Sequence, residues 1–247
     1  MKIGVLFSVF DGDVKHFNRF TAELTRLDLP FAVNFDHCCQ KTIDTFRKLP
    51  NYLHGYVNNN PESFFDESHR QHALDILLKD KFDWAVSLDV DETLELRAPT
   101  IIRQLAEARF TDLLTPERGN QLADVIGFQV LDLWGDDRHY RTDGPFHKSH
   151  REKMFHIGIG HWEYYHPTIH APKLTEVGGR AALYVRQYPC RVLHWGIMDE
   201  SDIKEHTERW DAIYTRKVGN NPYGFYPYIN NVENVPVVVK VPEDVYA

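Results

Sequence analysis

The sequence predicts an α/β fold: a mostly parallel, doubly wound sheet flanked by helices, followed by a more elaborate second half. Strand-like apolar runs alternate with helical patterns through the first ~95 residues, as in βαβ units. The fourth run, Trp84 to Leu88, breaks into Asp89-Val90-Asp91-Glu92, delivering carboxylates at a strand's carboxyl end, where open α/β sheets hold their ligands. Beyond residue 97 the alternation gives way to long polar and His- and aromatic-rich stretches.

Lys2 to Val9 reads as a buried first strand, closed by the polar turn Phe10-Asp11-Gly12-Asp13. Val14, Phe17, Phe20, Leu24 and Leu27 recur at helical spacing and stop before Pro30. Phe31 to Phe35 forms a second strand ending at Asp36, Thr42 to Lys48 a short helix, and Tyr52 to Val57 a third strand closed by Asn58-Asn59-Asn60-Pro61. A helix is expected from Ser63 to Lys79, with Phe65, His69, Ala73, Ile76 and Leu77 inward, and another from Pro99 to Arg109. Asp124 to Trp134 reads as a strand, residues 135–145 as a long polar segment, and Cys190 to Leu193 as a strand ending in His194-Trp195-Gly196. A helix from Asp199 to Lys217 and an extended tail complete the chain.

The 247 residues, 43% apolar, suffice for one sizeable core. A net charge of -8 lacks the basic footprint of a duplex-binding protein. Three cysteines make no disulfide framework and, like the histidines between 147 and 170, match no zinc spacing, so a reduced, cytoplasmic setting is expected. No apolar run has the length of a signal peptide or membrane span.

On a strand, Asp89 and Asp91 point the same way, so both could share one divalent cation or flank one phosphate. Two enzyme classes use such a strand. Leu88-Asp89-Val90-Asp91-Glu92-Thr93-Leu94 is similar to the D-x-D-x-T signature of haloacid dehalogenase-type phosphatases, which implies Asp89 as nucleophile, Asp91 as acid and base, and Mg²⁺. That signature normally occupies a domain's first strand, and no lysine occurs here between Phe82 and His147 to supply the downstream cation.

The order of the whole chain, with its Asp83-Trp84, apolar, Leu88-Asp89-Val90-Asp91-Glu92 core, resembles the GT-A fold nucleotide-sugar glycosyltransferases, especially small bacterial and phage members of the family 2 type. The resemblance implies a GT-A-like, Rossmann-type sheet in a single domain over 1–217, with a nucleotide-sugar-binding half (1–97), an acceptor half (98–217) and a tail over 218–247. It implies transfer of a sugar from a nucleotide-diphosphate sugar, a UDP-sugar being favoured, to an acceptor hydroxyl, assisted by Mn²⁺ or Mg²⁺. Asp11, Asp36, Arg70 and Asp89 would face the nucleotide, and Asp89, Asp91 and His194 the metal. Trp134, Tyr140, Arg141, His170 and Trp195 would line the acceptor side. Asp137 and Asp143 are the candidate bases, with Asp136 and Glu163 behind them. Arg141, Lys148, Arg151 and Lys153 form a small basic cluster suited to an anionic acceptor; glycan, lipid-linked and modified-DNA acceptors stay open. So do simpler roles: Asp36 as a turn cap, His194 as a buried histidine, Trp134 and Trp195 as core, and the chain as a non-catalytic nucleotide-sugar binding module.

Overall fold

The computed structural model describes residues 1–60, 68–107, 124–143, 150–158, 162–165, 173–176, 184–185, 190–196, 198–199, 201–202, 204–205, 208 and 237–246. The first half follows the expected alternation: β1 (Ile3–Phe10), a 3-10 turn (Asp11–His16), α1 (Phe17–Leu27), β2 (Phe31–Asp36), α2 (Gln40–Arg47), β3 (Tyr52–Asn58), α3 (Ser68–Lys79) and β4 (Trp84–Ser87). The helix expected from Val14 begins at Phe17, because Asp11 to His16 winds as the tighter turn. Residues 63–67 of the expected third helix lie outside the described residues. Beyond β4 come β5 (Glu92–Leu94), α4 (Ala98–Glu107), β6 (Val125–Asp132), β7 (His139–Arg141), β8 (His150–Phe155), β9 (Trp162–Tyr165), β10 (Lys173–Glu176), β11 (Tyr184–Val185), β12 (Arg191–His194) and β13 (Val238–Lys240).

Most strands join one mixed, mostly parallel sheet, in the order β3-β2-β1-β4-β8-β6-β12-β5, with β11 beside β6. β1 to β4 are parallel; β8 runs antiparallel to both β4 and β6, so β6 and β12 point the same way as β1 to β4. This register brings the carboxyl ends of β2, β4, β6 and β12 to one edge, which the antiparallel β8 enters with its amino end. Period-two alternation in β1 sends Val5, Phe7 and Val9 into one core layer and Leu6 into the other. On the first face Phe7 meets Phe20 of α1 edge-to-face at 4.8 Å and Phe46 of α2 at 5.6 Å. On the other, Leu77 of α3 lies against Gly4, where an added Cβ would come within 2.7 Å of its methyl carbon.

One clamp fixes the acidic segment. Buried Glu23 of α1 accepts the Leu94 N–H at 3.1 Å and binds Arg26, whose guanidinium donates to the carbonyls of Leu94 and Leu96 at 3.0 and 2.7 Å. Among the described residues no helix is long and apolar enough to cross a membrane.

Candidate active site

β4 ends at Ser87, two residues before the expected carboxylates. Asp89 and Asp91 therefore sit on a turn between β4 and β5, where strand alternation no longer applies, and they face different partners. Asp89 accepts from Arg70 of α3, and its other oxygen lies 3.9 Å from Lys153 of β8. Burial and the neighbouring Asp91 charge push its pKa up, but Arg70 and Lys153 outweigh them and hold it down to about 2. Asp91 turns the other way: its Oδ2 lies 3.3 Å from Nε2 of His194, at the end of β12.

His194 is backed by a residue with no local sequence signal. Asp132, buried at the end of β6, accepts from Nδ1 at 2.6 Å. Burial lowers the imidazole's pKa, yet the Asp91 charge and the hydrogen bonds to Asp132 and Asp91 raise it to about 10. Carboxylate, imidazole and carboxylate thus form a chain, Asp132 to His194 to Asp91. Trp195 pins it, donating its backbone N–H to the Asp91 carbonyl at 2.8 Å and its indole N–H to Thr93 at 2.9 Å. Gly196 follows because nothing larger fits: a Cβ there would stand 2.2 Å from Asp91 Oδ2 and 2.9 Å from His194 Nε2.

Glu92, with its side chain fully buried, ties the acidic turn to β8. Its Oε2 accepts the Asp89 N–H at 2.9 Å and Lys153 Nζ at 2.5 Å. Arg151, two residues before Lys153 on the same strand, sits 3.7 Å from Glu92 Oε1 and 3.8 Å from Asp132 Oδ1. Four carboxylates (Asp89, Asp91, Glu92, Asp132) thus interleave with Arg70, Arg151, Lys153 and His194.

A narrow cleft of about 10 Å³, room for about one water, opens beside Asp91, lined by Gly12, Lys15, His16, Gly196 and Asp202 among others. Lys15 binds Asp202 at 2.8 Å and Glu205 at 3.1 Å, joining the turn after β1 to the segment after β12. His16 is buried, and its Nδ1 has no hydrogen-bond partner among the described residues.

A divalent cation fits one part of this site. Two ligands of one ion at about 2.1 Å stand roughly 3 Å apart, close to the 3.3 Å between Asp91 Oδ2 and His194 Nε2. The Nδ1–H to Asp132 contact is the outer-shell partner that a ligating imidazole needs. Among the described residues no set of three or more His, Cys, Asp or Glu is arranged as a metal cage, so such an ion would draw its remaining ligands from water or phosphate.

The other expected site residues are placed as follows. Asp11 accepts the Cys39 N–H at 2.9 Å and the Thr42 hydroxyl at 2.6 Å, joining the end of β1 to the start of α2. Asp36 is buried, accepts from the Asn58 side-chain amide at 2.6 Å and contacts the His37 ring at 2.9 Å, tying the ends of β2 and β3 together. Trp134 lies under Arg141, whose guanidinium is 4.8 Å from the ring. Arg141 is buried and binds Asp143 through Nε at 3.0 Å. Asp137 is exposed, with Arg138 Nε 4.0 Å away, and Tyr140 packs in the satellite core with Trp195. Trp195 is buried and Arg19 of α1 lies 3.6 Å over its ring. His170 and Lys148 lie outside the described residues, as does most of the expected helix over 199–217.

No family model matches the chain, and no curated protein matches it. Among solved structures it is similar to S. aureus TarS 1–349 in complex with UDP-GlcNAc, at 13% identity and a TM-score of 0.42 over 55% of this chain and 36% of that one. The UDP complex of the same protein gives 14% identity and a TM-score of 0.41 over 55% and 37%. A protein of Desulfovibrio desulfuricans G20 described as a nucleotide-diphospho-sugar transferase gives 12% identity and 0.33 over 63% and 64%. The chain spans 36 to 37% of the length of those two TarS chains. Likeness at this level decides nothing about activity.

Proposed function

We propose that this chain is a metal-dependent glycosyltransferase that moves a sugar from a nucleotide-diphosphate sugar, a UDP-sugar by preference, to an acceptor hydroxyl. The observation that carries the reading is the meeting of Asp91 with His194 at 3.3 Å, at the sheet's carboxyl edge. Asp91 and His194 would hold Mn²⁺ or Mg²⁺, which when bound offsets the charge that builds on a departing diphosphate. Asp132 orients His194 through Nδ1. Arg70 holds Asp89 ionised and oriented, ready to accept hydrogen bonds from ribose hydroxyls. Of the two candidate bases we favour Asp137, whose carboxylate is exposed, since Asp143 is engaged by Arg141. In the course that uses a base, Asp137 takes the acceptor proton. The acceptor oxygen bonds to the anomeric carbon, and that carbon's bond to the diphosphate oxygen breaks, its electron pair leaving on the nucleotide.

One contact favours a second reading. Lys153 lies 3.9 Å from Asp89, as a phosphatase nucleophile would require, although both Asp89 oxygens are then next to cations and Asp91 is turned to His194.

The test incubates the chain with UDP-, GDP-, CMP- and dTDP-linked sugars, with Mn²⁺ or with chelator, and follows nucleotide release, beside turnover of p-nitrophenyl phosphate. Metal-dependent release from one donor, lost in Asp91→Asn, is expected. Donor binding without release would reduce the chain to a binding module. Ester turnover that depends on Asp89, with no donor cleaved, would replace the transferase by the phosphatase.

A further inference from the structure

The cations around the site are mostly committed. Arg70 holds Asp89, Lys153 holds Glu92, Lys15 is shared by Asp202 and Glu205, and Arg151 lies between Glu92 and Asp132. Arg19 differs. It is exposed on α1, its guanidinium carbon lies 3.6 Å over the Trp195 ring, and among the described residues it makes no hydrogen bond or salt bridge. Its stacking partner is itself fixed, the indole N–H by Thr93 and the backbone N–H by the carbonyl of Asp91, so the guanidinium rests on the residue that follows His194 and is hydrogen-bonded to the Asp91 backbone. A guanidinium lying on an aromatic face keeps its five N–H donors in one plane, a fork that matches phosphate oxygens.

We propose that Arg19 is a phosphate-binding residue, and that its ligand is the diphosphate carried in with the cation at Asp91 and His194. The proposal rests on the reading of those two residues as the cation site. The surroundings argue for a metal-bound anion over a free one. Asp91, Asp13 and Asp202 line the adjoining cleft, and Asp137 is the charge acting on Arg19, so a bare oxyanion meets mainly carboxylates. An oxyanion that arrives with a divalent ion brings its own cation to the Asp91 and His194 pair, and the Arg19 guanidinium adds a second positive charge.

The experiment is calorimetric titration of inorganic pyrophosphate, with saturating Mn²⁺ and with chelator, into the parent, Arg19→Gln and Arg19→Lys. Charge-assisted hydrogen bonds predict a loss of about 10- to 100-fold in affinity for Arg19→Gln, with Arg19→Lys between that variant and the parent. Chelator should weaken parent binding by about tenfold or more. Because Arg19 is exposed, Arg19→Gln should keep the parent's unfolding midpoint. Arg19→Gln affinity within about twofold of the parent would overturn the proposal and leave Arg19 as a cover for the indole face. Failure of pyrophosphate to bind the parent would overturn it too. Glycerol 3-phosphate, run in parallel, separates a donor diphosphate from an acceptor phosphate: dependence on Arg19 with the monoester alone would overturn the assignment to the diphosphate. Arg19-dependent pyrophosphate binding in a chain that cleaves no nucleotide sugar would uphold this subsite while sinking the transferase reading. Donor cleavage with pyrophosphate affinity indifferent to Arg19 would do the reverse.

Discussion

His194 contacts Asp132 through Nδ1 at 2.6 Å while its Nε2 faces Asp91 at 3.3 Å. The imidazole is therefore oriented from behind, by a carboxylate at the end of β6, whereas His194 ends β12 and Asp91 lies on the turn between β4 and β5. Asp132→Asn should keep the fold but loosen the ring, weakening Mn²⁺ binding by about 10- to 100-fold. Titration of Mn²⁺ followed by electron paramagnetic resonance measures this, and unchanged affinity would remove Asp132 from the site.

The same pair sets a pH dependence. In chelator, His194 has its pKa raised to about 10 in the folded chain, against about 6.5 unfolded. A raised value means that the folded state favours the proton, so this stabilisation is complete below about pH 6.5 and disappears as pH rises through about 10. Urea midpoints between pH 6 and 10.5 should fall more for the parent than for His194→Gln. Parallel falls would contradict the assignment.

Gly196 is the narrowest point of the site. In Gly196→Ala the new methyl would stand 2.2 Å from Asp91 Oδ2, forcing that carboxylate off His194. Mn²⁺ affinity should drop by about tenfold or more, with little change in the unfolding midpoint. An equal loss of stability and affinity would point to a backbone role instead.

How much of this could be read beforehand follows from the physics of each element. β1 to β4 and their helices were legible because apolar runs and helical periodicity are local signals. β8 was missed because Arg151 and Lys153 give it a polar face toward the acidic turn, which reads in sequence as loop. β5, only three residues long, exists because β12 pairs with it and Glu23 holds Leu94. Asp89, Asp91 and Arg70 stood out; the assumption that both carboxylates share a strand face did not hold, since β4 stops at Ser87. Asp132 gave no signal, its role depending on a histidine 62 residues away. Arg19 sits on an exposed helix position, and only the fold brings Trp195 beneath it.

Lys153 and Glu92 are both buried and 2.5 Å apart, so neither tolerates loss of the other. Lys153→Met should destabilise the chain by about 3–5 kcal/mol, and adding Glu92→Gln should restore part of it by removing the stranded charge. Urea unfolding of the parent, both singles and the double gives the coupling; simple additivity would mean that the pair is not a unit.

The most direct test of the cation site is Mn²⁺ titration of the parent, Asp91→Asn and His194→Gln, each with and without UDP. The account predicts that UDP tightens Mn²⁺ binding in the parent, and that either substitution weakens Mn²⁺ and abolishes the tightening. Mn²⁺ and UDP binding that survive unchanged in Asp91→Asn would contradict it.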